Sequence, residues 1–148
     1  MKRARTWILI ADGARARVLE CGPRGGGLRE VEAMVFEADH AATRDLAADR
    51  PGRSFSSTTD ARSAMEPRSD PHRRLKRAFA RRLAAALESG LAAGGYDRLV
   101  VVAAPVTMGD LRAELSDRVA AAVAVEVDKD LTKVPDDEVL PHLPEGAV

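Results

Sequence analysis

The chain has no asparagine and no glutamine, one cysteine, and only one Trp, one Tyr and three Phe in 148 residues. A lone Cys21 excludes an internal disulfide, suits a reducing cytoplasm, and has no Cys or His at the spacing a zinc site needs. With so few rings, a broad base-stacking surface is excluded, and the core must be built from Val, Leu, Ile and Ala. No apolar run is long enough to span a bilayer, and the N-terminus lacks a signal-peptide core with a small-residue cleavage site. The expectation is a cytoplasmic protein with no membrane association. A formal net charge of zero argues against a chain that coats nucleic acid generally. Any such role must come from uneven placement of charge.

The placement is uneven. Residues 44–82 hold most of the central arginines, while residues 126–148 are mostly acidic, with Asp128, Asp130, Asp136, Asp137, Glu138 and Glu145. Arginine greatly outnumbers lysine and alanine is abundant, a bias that a GC-rich genome produces by itself, so single arginines carry little weight. The length suits one domain, 1–148, with one core.

Taken in order, TWILIA (6–11) is a nearly continuous apolar run, the pattern of a central strand covered on both faces. Asp12-Gly13 is a favoured type I′ hairpin dipeptide. Residues 14–20 alternate, with Ala14, Ala16 and Val18 on one face and Arg15, Arg17 and Leu19 on the other. This predicts a second, antiparallel strand. The glycine-rich turn 21–27 resembles a phosphate loop but lacks the lysine and following helix of one. Residues 28–38 alternate weakly and complete a meander. Residues 43–48 spell one helical turn, stopped by Arg50-Pro51-Gly52. Residues 96–104, YDRLVVVAA, read as a strand that joins parallel to the first because helices flank it. Residues 105–122 read as helix in two pieces around Met108-Gly109, the second capped at Ser116-Asp117. Residues 123–127 give a fifth strand, and Pro135 with Asp136, Asp137 and Glu138 starts a last short helix. The order β-β-β-α-β-α-β-α predicts a three-layer α/β sandwich on a mixed five-stranded sheet, three antiparallel strands followed by two parallel ones.

The organising stretch is 49–91. A hydroxyl-rich loop, 51–71, runs into the helix HRRLKRAFARRLAAALESGL, where Leu75, Phe79, Leu83, Ala86 and Leu87 form an apolar stripe. Structureless loops of that length in compact domains are usually functional or disordered. Arg73, Arg77 and Arg81 form an i, i+4 row flanked by Arg74, Lys76 and Arg82, so the outer face reads as almost purely cationic. Like charges four apart cost a few tenths of a kcal/mol per pair, and cations at a helix start oppose its dipole.

TWILIADGARARVLE, DRPGRSFSSTTDARSAMEPRSDP, FARRLAAAL, YDRLVVVAAP, GDLRAELS and EVDKDLTK together resemble the bacterial family called host attachment proteins, collinearly over essentially the whole chain. That family is similar to the middle domain of archaeal and eukaryotic translation release factors and of Pelota, which implies an RNase H-like sandwich and a role in translation. The resemblance places loop 51–71 where release factors reach the peptidyl-transferase centre. Release factors carry Gly-Gly-Gln there; this chain has no glutamine, so peptide release by that route is not expected. Ser63 stands where the family often has histidine.

These residues imply binding of structured RNA or the ribosome through Arg53, Ser54, Arg62 and Arg68 of the loop and His72, Arg73, Arg74, Arg77 and Arg81 of the helix, since arginine pairs bidentately with phosphate. Against this stands a solvated face whose charges are met by acids such as Asp60, Glu66 or Asp70. Phe55 is the one stacking candidate in the loop. His40 and His72 are the residue type that serves as general base at neutral pH, but have no placeable nucleophile partner. Asp12 ends the first strand, where RNase H-like nucleases bind metal, yet the hairpin explains it and companion carboxylates are not apparent. No cofactor or metal is expected. Two rivals remain: a protein-interaction module for surface attachment or stress, and a hydrolase using Ser54, Ser56 or Ser63.

Overall fold

The structure, a computed structural model, describes residues 5–22, 27–38 and 71–148. Its elements are β1 (Thr6–Ala11), β2 (Arg15–Cys21), β3 (Leu28–Glu37), α1 (Pro71–Ala92), β4 (Arg98–Ala103), α2 (Pro105–Glu114), α3 (Asp117–Ala122) and β5 (Val123–Val127), followed by two 3-10 turns at Asp136–Glu138 and Leu140–His142. The strands form one mixed sheet ordered β3-β2-β1-β4-β5. β1 pairs antiparallel with β2 and parallel with β4; β2 pairs antiparallel with β3, and β4 parallel with β5.

The layering follows from handedness. Parallel crossovers are right-handed, so two that step the same way along a sheet put their helices on the same face. Accordingly Phe79, Leu83 and Leu87 of α1, Met108 and Leu111 of α2, and Val119 of α3 share one cluster with Leu9, Val18, Leu99 and Val101. The other face, carrying Ile8, Ile10, Leu19, Val100 and Val102, is closed by Leu131, Val139 and Ala147 of the C-terminal segment. β1, buried at every position, lies between the two clusters. The third layer is thus an irregular strap with two 3-10 turns, where an α-helix was expected after Pro135. Pro141 removes an amide that such a helix would need. Arg17 ties the strap down: its Nε donates to Asp136 Oδ1 at 2.8 Å and its terminal nitrogens donate to the carbonyls of Thr132 and Val134.

Two other expectations shift. The first hairpin turns on Gly13-Ala14, because Asp12 N already donates to Arg15 O. Neither Asp12 nor Gly13 has positive φ. In place of type I′ geometry, Asp12 Oδ1 accepts the amides of Ala14 and Arg15, both at 2.7 Å, an Asx turn. The helix after β4 runs through Met108-Gly109 and breaks at Leu115-Ser116, where Ser116 accepts from Val119 N. Gly109 faces open space and helix tolerates it there.

α1 ends in a Schellman motif: Gly94, at φ 77°, donates to Leu91 O, and Gly95 donates to Gly90 O. Behind that exit Tyr96 is buried, its hydroxyl donating to Leu87 O at 2.8 Å. Burial, with the Glu88 charge second, pushes its pKa up to about 12, so it remains a neutral donor.

Both outer strands carry register breaks. β5 shifts between Leu99 and Val100 of its partner. β3 slips by three residues opposite Val18, where Ala33 has φ 66°. The weak alternation of 28–38 has this cause: the bulge turns Val31 and Met34 toward the helix-side cluster. A left-handed alanine costs about 1–2 kcal/mol. Ala33→Gly is therefore expected to stabilise the fold by about 0.5–1 kcal/mol, raising Tm by about 1–4 °C in calorimetry.

Candidate functional site

Both crossover helices begin at the same end of the sheet, beyond the carboxyl ends of β1 and β4, the usual ligand-binding position of open α/β sheets. α2 starts two residues after β4. The residues flanking 39–70 also lie at this end. The Ala38 amide donates to Ala14 O at 2.7 Å, and the Lys76 stem near the start of α1 lies beside Gly13, where an added Cβ would meet it at 3.0 Å.

α1 and α2 run parallel, with Arg73 opposite Asp110 and Arg81 opposite Glu114. The first turn of α1 contains no acid, so its basic start is balanced from the neighbouring helix. Arg73 makes a two-pronged pair, 2.7 Å to Asp110 Oδ1 and 3.1 Å to Oδ2, with side-chain exposures of 30% and 12%. Arg81 is looser, 3.4 Å from Glu114 and 67% exposed. Arg82 donates to Glu37 O and stacks over Phe36 and Phe79, its guanidinium carbon 5.4 and 5.8 Å from the ring centres. Hence the row is not a bare cationic face: Arg73 and Arg81 meet carboxylates, and Arg82 joins the helix to β3. Lys76 and Arg77 meet no carboxylate among the described residues, while Arg74 is exposed and His72 half-buried.

Of the sequence-derived site, the structure brings together His72, Arg73, Arg74, Arg77 and Arg81 on α1. Arg53, Ser54, Arg62 and Arg68, with loop 51–71 up to residue 70, the turn at 43–48, His40, Phe55, Ser56 and Ser63, lie outside the described residues. Asp110 and Glu114 were missed: GDLRAELS places them four apart, whereas the arginines they meet are eight apart.

Asp12 is taken up by its turn, and its other oxygen lies 3.4 Å from Thr132 Oγ1, whose proton goes to Asp130. Asp130 accepts from the hydroxyl and amide of Thr132, which hold its carboxyl below the usual range. Among the described residues no group of three or more His, Cys, Asp or Glu is placed to hold a metal ion. No helix among them is long and apolar enough to cross a membrane. Two grooves open elsewhere: about 540 Å³ along β5, floored by Leu115, Val123 and Val125 and edged by the Arg112–Glu126 pair, and about 280 Å³ between Ile10, Val35 and Thr132.

The model of a family described as "protein required for attachment to host cells" matches residues 7–143, leaving six residues before it and five after. No curated protein matches the chain.

Proposed function

We propose a function for a chain that belongs to the family of proteins required for attachment to host cells: it binds the phosphates of structured or ribosomal RNA with the first turns of α1. His72, Arg74, Lys76 and Arg77 are the contacts on the helix, and Arg53, Ser54, Arg62 and Arg68 come from the preceding segment. The observation that carries this reading is the concentration of six cations within Arg73–Arg82 of one helix, with none of the balancing acid on that helix's own first turn. The pairing of Arg73 and Arg81 narrows the contact set toward Lys76 and Arg77, because a phosphate need not displace a carboxylate there. The resemblance to release-factor middle domains read from the sequence supports the same partner. A Gly-Gly-Gln mechanism is not part of the proposal, since the chain has no glutamine.

Binding of a fluorescein-labelled RNA hairpin, followed by anisotropy, is expected to weaken with salt at a log–log slope of about −0.7 to −0.9 per phosphate neutralised. Lys76→Glu with Arg77→Glu should weaken it by at least about tenfold across sequences. A flat salt dependence would sink the RNA reading and favour the second one, a protein-interaction module. The groove along β5, with its apolar floor and charged rim, supports that alternative.

A further inference from the structure

The acids of α2 stand where an RNA phosphate would stand. Asp110 grips Arg73 with both oxygens, the geometry in which arginine holds a phosphate, and Glu114, one turn along α2, faces Arg81, two turns along α1. The two arginines are eight residues apart, about 12 Å along the helix. A run of several phosphates covers that span and a mononucleotide does not. The grip is also graded: the Arg73 pair is the more buried and closer, the Arg81 pair the more exposed and longer.

We propose that Asp110 and Glu114 are built-in competitors that set the selectivity of α1, withholding Arg73 and Arg81 from isolated phosphates and yielding them only to a polymer that engages Lys76 and Arg77 as well. The inference rests on the reading of α1 as an RNA-binding helix. Single phosphate groups meet two cations already satisfied, whereas a polymer bound through its neighbours has its next phosphates delivered to Arg81 and then Arg73 at high effective concentration. The two acids therefore suppress weak, short ligands more than long ones.

The test compares Asp110→Asn with Glu114→Gln, which keeps both shapes and removes both charges, against Asp137→Asn with Glu138→Gln. The second pair makes the same change of net charge on the opposite face of the sheet, at positions exposed to solvent. The probe is the RNA hairpin, with ATP as competitor and thermal unfolding as the check of fold. The α2 variant should bind the hairpin about tenfold more tightly, within the return of two charge-assisted contacts, and ATP should displace the hairpin from it at lower concentration than from the wild type. The strap variant should stay within about twofold of wild type, as remote surface charges are screened. Equal tightening in both variants would overturn the inference in favour of a general field effect. An unchanged α2 variant beside a binding wild type would overturn it and leave the RNA reading standing. Absence of binding in every variant would remove the RNA reading itself, and this inference with it.

Discussion

Trp7→Ala is expected to destabilise the protein by about 3–5 kcal/mol, the range for removing a large buried aromatic. Trp7 is 5% exposed. Its indole leans on Tyr96 at 4.6 Å between ring centres, and its Nε1 donates to Glu20 Oε1 at 3.2 Å. Two glycines allow it to lie there. A Cβ on Gly90 would come within 2.7 Å of Cζ3 and 2.8 Å of Cη2, and one on Gly95 within 2.8 Å of Cζ2. The ring is pinned on several sides, so it cannot swing away cheaply. Gly90 lies inside α1, where glycine to alanine ordinarily gains about 1 kcal/mol. Here the sign should reverse, with Gly90→Ala losing about 1–2 kcal/mol through overpacking. Urea unfolding reads both variants, by far-UV circular dichroism for Trp7→Ala and also by fluorescence of the single tryptophan for Gly90→Ala. A more stable Gly90→Ala protein would refute this packing.

Arg17→Ala is expected to cost about 2–4 kcal/mol and to loosen the C-terminal strap selectively. The Arg17 side chain is 14% exposed and serves three acceptors on one short segment. Removing it strands the carbonyls of Thr132 and Val134 and leaves Asp136 without its cation. Leu131 and Val139, 3% and 0% exposed, then rest on packing alone. Arg17→Lys restores charge but not the three-way fork, and should recover only part of the loss. Hydrogen exchange gives the decisive reading: the amides of Val134, Val139 and Ala147, bonded to Leu131, Asp136 and Pro144, should exchange faster while those of β1 and β4 do not. Uniform acceleration would mean that Arg17 supports the whole domain and not the strap.

Strand identity and order were legible because period and length agreed. TWILIA is apolar on both faces and became the buried central strand; RLVVVA, between two helices, joined it in parallel. The Gly94-Gly95 exit was legible for a local reason, the φ that only glycine supplies cheaply. What sequence could not convey was set by neighbours distant in the chain. Arg17 looked like one of two arginines sharing a strand face with Leu19, and it binds a segment 115–119 residues away. Arg73 and Arg81 looked like one bare row until α2 supplied Asp110 and Glu114. The Ser116 cap was read correctly and starts the second helix, but the break was placed too early, at Met108-Gly109, because Gly109 is a stronger breaker by propensity.

The slips in β3 and β5 bear on how this molecule meets others. A β-bulge bends its strand and disturbs the even row of backbone groups an added strand would pair with, and both outer strands carry such an irregularity in their inner pairing. Growth of the sheet from molecule to molecule is thereby blunted at both rims, so crowded copies should resist fusing into fibres. Joining the sheet as a sixth strand is accordingly the less favoured way for another chain to dock.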